Sequence, residues 1–87
     1  MKALFDSAKQ PRGMRLGSVR VRPGHMARLE VGPFDEAPQF ERLHVQVEGG
    51  DERDLEYISA LTDDGHRYVY RFENYGQRSC RVSVVIR

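Results

Sequence analysis

The chain has little of the chemistry on which enzymes and disulfide-stabilised folds are built. Its 87 residues include one cysteine, three histidines and no tryptophan. A single thiol cannot form an internal disulfide, so nothing marks an oxidising compartment. Cys80 alternates with Val82, Val84 and Ile86, a pattern that predicts a small buried residue on a strand rather than a reactive thiol.

Motifs for catalysis and for metal or cofactor binding are also missing. His25, His44 and His66 fall on three separate segments without metal-ligand spacing. No serine lies in a nucleophile elbow, and the sequence has no zincin, P-loop or dinucleotide fingerprint. We therefore expect no enzyme activity, no metal and no cofactor.

No apolar run approaches the length of a membrane span, and the first residues do not read as a signal peptide. We expect no membrane partner and a cytoplasmic or particle-associated protein. Whether the chain is a piece cut from a longer precursor stays open.

Charge is balanced overall but unevenly placed. The net charge is +1. Residues 1–29 carry seven Lys or Arg and one Asp, residues 30–64 carry eleven Asp or Glu and two Arg, and residues 65–87 carry five Arg and one Glu. This basic, acidic, basic layout suits head-to-tail contact between copies. A phosphate binder normally has a clearly basic surface, so a nucleic-acid partner is disfavoured.

What the sequence does contain is period-2 alternation, broken by turn residues about every ten positions. This pattern predicts an all-β fold, a small antiparallel β-sandwich or barrel of about six strands. The length allows one domain, which we place at residues 14–87. The predicted strands lie at 14–22, 25–31, 40–48, 54–61, 68–73 and 79–87. A switch of apolar parity at Gly17-Ser18 predicts a bulge or bend in the first strand.

One hairpin can be predicted with its register. If Asp64-Gly65 form a two-residue turn, residue i pairs with residue 129 − i. Tyr57 then faces Phe72, which is favourable, and Glu56 faces Glu73, which is not.

Residues 1–13 are predicted to form a short N-terminal arm, because Pro11-Arg12-Gly13 separates them from the strands. The arm is either a loosely packed terminus or a segment that docks on a neighbouring subunit through Leu4 and Phe5.

Two surface alternatives remain open. Tyr68, Tyr70 and Phe72 alternate with arginines at 67 and 71; we expect the rings to be core, but exposed they could stack single-stranded bases. Arginines on the opposite faces could form a cationic stripe, and strand order decides which of them meet. The candidates are Arg20, Arg22, Arg28, Arg71 and Arg81.

Acidic loops provide a further alternative. Asp35-Glu36 and Asp63-Asp64 are predicted at one end of the sheets, with the acidic residues of 51–54 at the other. Carboxylates converging from flexible loops could bind Ca²⁺, although their spacing fits no known motif and Asp is common in turns.

The stretch from Gly50-Asp51, through Leu55-Glu56-Tyr57 and the run 70–74, to the valine-rich end at Val84 is similar to the endings of some β-sandwich accessory domains. The Golgi-dynamics and pre-peptidase C-terminal families have such endings. The similarity covers two strands and a turn, and it implies a sandwich fold.

We expect a non-catalytic protein–protein interaction or structural module, the small subunit of a homo-oligomer or of a larger assembly. A virion accessory protein is one specific version. The alternatives are a small barrel that binds single-stranded nucleic acid, and an accessory β-sandwich that binds a ligand or calcium.

Overall fold

The computed structural model describes residues 14–87, which form six antiparallel strands in two sheets. The all-β prediction is confirmed, and the architecture is the sandwich rather than the barrel. The strands are β1 (Met14–Val21), β2 (Met26–Val31), β3 (Leu43–Glu48), β4 (Leu55–Leu61), β5 (Tyr68–Asn74) and β6 (Cys80–Ile86).

Each sheet has three strands with the most buried strand in the middle. The first sheet has the order β1-β6-β3 and the second the order β2-β5-β4. β6 buries Cys80, Val82 and the other predicted inward residues, and it also buries Ser83 and Val85, which the alternation placed outside. A central strand has a neighbour on each side, so small side chains on its outer face are also shielded from water.

The predicted hairpin register is confirmed across β4 and β5. Tyr57 pairs with Phe72, and the unfavourable pair of Glu56 with Glu73 is present. The prediction of a two-residue turn is wrong. The loop spans residues 63–66, because Thr62 N–H already pairs with the Arg67 carbonyl at 2.8 Å and only Gly65 has a positive φ, of 76°. A four-residue loop keeps the same register, because residues 63 and 66 also add to 129.

Two further local features can be compared with the sequence. The expected irregularity in β1 is present as a register shift between Arg15 and Gly17. The third strand, however, begins at Leu43 and not at residue 40. Residues Phe40–Arg42 form one 3-10 turn, closed by a hydrogen bond from the Leu43 N–H to the Phe40 carbonyl.

The core contains the aromatic residues of β5, as expected. Tyr68, Tyr70 and Phe72 are all buried, and the Tyr70 and Phe72 rings stack with their centroids 5.8 Å apart. The Tyr68 hydroxyl donates to the Pro38 carbonyl at 2.8 Å. The Tyr70 hydroxyl is buried with no hydrogen-bond partner among the described residues.

One buried amide connects the loops at one end of the sandwich. The Asn74 side-chain nitrogen donates to the Val21 carbonyl at 3.0 Å and to the Arg78 carbonyl at 2.8 Å. Its side-chain oxygen accepts from Gly76 N–H at 2.9 Å. At the other end, the 32–38 loop is held to the β4–β5 loop by two hydrogen bonds between Phe34 and His66.

Candidate protein-interaction site

The candidate site is β4, an edge strand on the open side of the sandwich. The link 22–25 joins β1 and β2 closely along one side. On the opposite side, β3 and β4 are the edges of their sheets, and no described strand pairs with either free edge. A free edge displays backbone groups that can pair with a strand from another chain.

The outward backbone groups of β4 follow from its pairing with β5. Tyr75 N–H donates to the Asp54 carbonyl just before β4, and Thr62 N–H donates to the Arg67 carbonyl just after it, both at 2.8 Å. Alternate residues of an antiparallel pair point their backbone groups to the same neighbour, so the even-numbered residues of β4 face β5. The backbone groups of Tyr57, Ser59 and Leu61 therefore point to the free edge.

Side chains on both faces of β4 leave apolar surface in water. Ile58 is 66% exposed on the outer face, while Tyr57 and Leu61 are 46% and 47% exposed on the inner face. Only Glu56 is charged among the seven residues of β4. Natural edge strands are commonly protected by charges, prolines or bulges, and β4 has little of this protection.

Tyr57 shows why a nominal core position is half exposed. Its ring lies 5.7 Å from the Phe72 ring and 6.1 Å from the Tyr70 ring, measured between centroids. One side of the ring is therefore packed on the core. The other side lies at the open edge, where the opposite sheet does not cover it. Tyr57 and Leu61 thus point to the inner face without being fully buried.

Two depressions flank β4. The β3–β4 groove, of about 340 Å³, is lined by Val45, Val47, Leu55 and Tyr57, with the 52–53 turn at one end. The outer depression, of about 420 Å³, lies on the other face of β4. Its lining includes Met26, Glu56, Ile58, Arg71 and Glu73. Both are open and partly apolar, as expected of a surface that contacts another chain.

Charges beside β4 form small like-charged pairs. Glu56 and Glu73 are direct neighbours across the strands, and Arg28 and Arg71 are neighbours in the next row. The Tyr75 hydroxyl donates to the Glu73 carboxylate, and this hydrogen bond to Glu73 raises the pKa of Tyr75 to about 12. Glu30 forms an ion pair with Arg28 at 3.1 Å.

The predicted cationic residues do not form a single stripe. Arg20 pairs with Arg81 on the outer face of the first sheet, and Arg28 pairs with Arg71 on the outer face of the second. Arg22 lies in the link after β1. Strand order thus brings together two arginine pairs on opposite faces of the sandwich, each with a glutamate nearby.

Two observations concern the nucleic-acid and calcium alternatives. Base stacking required the aromatic rings of β5 to be displayed, and they are core. Residues 14–87 contain no group of three His, Cys, Asp or Glu side chains that could hold a metal ion. The Asp51 carboxylate contacts the Arg53 guanidinium at 2.8 Å, and this hydrogen bonding lowers the pKa of Asp51 to about 2. Asp64 accepts from the Thr62 hydroxyl instead, within its own loop.

The predicted docking arm, with Leu4 and Phe5, lies outside the described residues.

The sequence did not lead us to single out Ile58 or Met26, both of which are exposed. A signal for Ile58 was present, because Leu55, Tyr57 and Leu61 share one parity while Ile58 and Ala60 share the other. Apolar residues on both faces of a short strand are therefore a sequence signal for an apolar residue on the outer face of the sheet.

No protein-family model, curated protein or solved structure matches the chain. Within residues 14–87, no helix has the length and apolar content needed to cross a membrane.

Proposed function

We propose that this chain is a non-catalytic protein–protein interaction module, the small subunit of a homo-oligomer or of a larger assembly. The observation that carries the proposal is the open edge of β4, where backbone groups with no partner strand among residues 14–87 lie between exposed apolar side chains on two faces. Pairing with a strand of another protein would satisfy those backbone groups and bury Ile58 together with Tyr57.

The chemistry of the edge favours a protein partner. Of its outward side chains only Glu56 is charged, and it is negative, so the edge offers nothing to a phosphate backbone. Burial of apolar surface contributes about 25 cal/mol per Å², so covering a largely exposed isoleucine stabilises a complex by about 1–2 kcal/mol. The adjacent grooves allow a partner's side chains to extend that contact.

Size-exclusion chromatography of extracts from the cells that encode the chain tests this function. A tagged chain, lightly cross-linked before lysis, should elute at an apparent mass well above the monomer mass of 10.1 kDa plus the tag. Ile58→Lys should lose the complex, because lysine protects edge strands from pairing. Ser18→Lys, which adds a lysine at an exposed position of the edge strand β1 in the other sheet, should retain it. A wild-type chain that elutes only as a monomer would refute the proposal.

A further inference from the structure

The free edge of β4 has the length, charge pattern and backbone orientation to pair with itself. We infer that two copies of this chain associate through antiparallel pairing of β4 with β4, which joins the second sheets of both copies into one six-stranded sheet. This inference rests on the proposed function and names the partner as a second copy.

Backbone geometry restricts the possible registers. The outward-facing residues of β4 are odd-numbered, so in an antiparallel pair odd residues must face odd residues. When residue i of one copy faces residue 116 − i of the other, all seven residues of Leu55–Leu61 overlap, and every other register leaves part of the strand unpaired. In this register the twofold axis passes between the two copies of Ile58.

Side chains agree with this register. The most exposed apolar residue of β4, Ile58, meets its own copy across the axis, where facing residues of a non-hydrogen-bonded pair lie about 4.5 Å apart at Cα. Leu61 faces Leu55 of the second copy, and Tyr57 faces Ser59. Each of the three exposed apolar side chains of β4 therefore gains a neighbour from the second copy.

Charge is also compatible with the register. Glu56, the only charged residue of the strand, faces Ala60 of the second copy and not another carboxylate. The row that continues beyond Ala60 contains Val69 and then Glu30, which is ion-paired with Arg28, so two uncharged residues separate the acidic pair Glu56 and Glu73 from the next carboxylate. In a register centred on Glu56 the two carboxylates would face each other, which is unfavourable. The arrangement in which like charges are separated is thus the one with full overlap.

The size of the contact sets the expected affinity. A stable interface of standard size buries about 1,200–2,000 Å². A contact between two seven-residue strands is smaller than this and belongs to the class of weak, reversible interfaces. We therefore expect a reversible dimer with a Kd of about 1–100 μM, equivalent to about −8 to −5.5 kcal/mol.

Disulfide trapping of the purified full chain tests the interface and its register. Ile58→Cys should form a covalent dimer readily, because a Cα separation of about 4.5 Å suits a disulfide. Arg28→Cys, on the same face at the opposite edge of the sheet, should form at least about tenfold less, since pairing raises the effective thiol concentration only at the axis. The wild-type chain is a second control. Its one cysteine, Cys80, is buried, and burial raises the pKa of that thiol.

A mixing experiment checks the register independently. Glu56→Cys and Ala60→Cys should each give little covalent dimer alone, because neither faces itself across the axis. A mixture of the two should give a covalent heterodimer, since residues 56 and 60 face each other in the 116 − i register. Ile58 trapping without this heterodimer would overturn the register.

Sedimentation equilibrium completes the test. The wild-type chain should show a monomer–dimer equilibrium that Ile58→Lys weakens at least tenfold and that Ser18→Lys, on β1 of the other sheet, leaves unchanged. A wild-type monomer up to about 1 mM, roughly tenfold above the weakest expected Kd, would overturn the second-copy inference. A wild-type dimer without a disulfide in the Ile58→Cys variant would also overturn it. If Ile58→Cys forms a disulfide only when it is mixed with Phe5→Cys, the edge binds the N-terminal segment and not a second β4. A complex in cell extracts together with a monomer in pure solution would leave the proposed function standing and remove only this inference.

Discussion

Replacement of Tyr70 by phenylalanine should make the protein more stable, against the usual direction of core substitutions. Tyr70 is 1% exposed, and its hydroxyl has no hydrogen-bond partner among the described residues. A buried hydroxyl without a partner costs about 1–3 kcal/mol relative to water. Phenylalanine removes that cost and keeps the ring, which stacks on Phe72 and contacts Tyr57.

The expected gain follows from two opposing terms. Removal of one oxygen leaves a void of about 15 Å³, which at about 24 cal/mol per Å³ costs about 0.4 kcal/mol. The net increase in the free energy of unfolding should therefore be about 1–2 kcal/mol. Since a small domain has an m-value of about 1–3 kcal/mol/M in urea, the unfolding midpoint should rise by about 0.3–2 M with the m-value unchanged.

Tyr68→Phe is the matched control. Tyr68 is also buried, but its hydroxyl donates to the Pro38 carbonyl, so the same deletion leaves a buried acceptor unsatisfied. It should lower stability by about 1–2 kcal/mol. Equal destabilisation by both variants would refute the reasoning, because it would mean that the Tyr70 hydroxyl is also hydrogen-bonded.

The pH dependence provides a second check on Tyr70. Burial raises its pKa to about 12, whereas an unfolded tyrosine titrates near 10. From about pH 10 upward the unfolded chain therefore loses this proton while the native chain keeps it, and native stability falls. The advantage of Tyr70→Phe over the wild type should grow as the pH rises above 10. A constant difference between pH 8 and 11 would contradict the assignment.

Three other outcomes are expected. Asn74→Ala should lower stability by about 2–4 kcal/mol in urea unfolding, because three backbone groups lose their hydrogen bond to the buried amide. A loss under about 0.5 kcal/mol, the size of an ordinary surface change, would contradict a structural role for this amide. Arg53→Gln should raise the pKa of Asp51 from about 2 toward 3.8 in an NMR titration of the carboxyl carbon, and an unchanged pKa would show that the guanidinium does not lower it. The contribution of this pair to stability is present above about pH 4 and is lost as the pH falls toward 2. Gly32→Ala should be strongly destabilising in a thermal melt, since φ is 125° and a Cβ would lie 2.7 Å from the His66 carbonyl oxygen. Gly24→Ala is the control: φ is 71° and the space around it is open, so it should cost only about 1 kcal/mol.

The faces and register of local strands were predictable because they depend on short-range patterns. Alternation identified core residues of β5 and β6, and the Asp64-Gly65 pair was enough to predict that Tyr57 faces Phe72. The turn type was wrong for a physical reason. Thr62 and Asp64 bond each other and the loop backbone, which favours a four-residue loop over the tighter turn.

Strand order and edge position were not predictable in the same way. β6 pairs with β1 and β3, which are distant in sequence, and no local pattern states which strands become neighbours. For this reason the arginines on outer faces could be named but not grouped. The same limit hid the site, because no local pattern states that β4 is the edge strand on the open side of the sandwich.

The position of β6 also has a consequence for biosynthesis. β6 is the sheet partner of both β1 and β3, so neither can form this pairing until residues 80–86 have left the ribosome. At about 5–20 residues per second, the nascent chain carries an incomplete first sheet for several seconds, whereas β2, β5 and β4 can assemble earlier. Translation therefore produces the layer that contains the β4 edge first, and the last strand closes the sandwich over it.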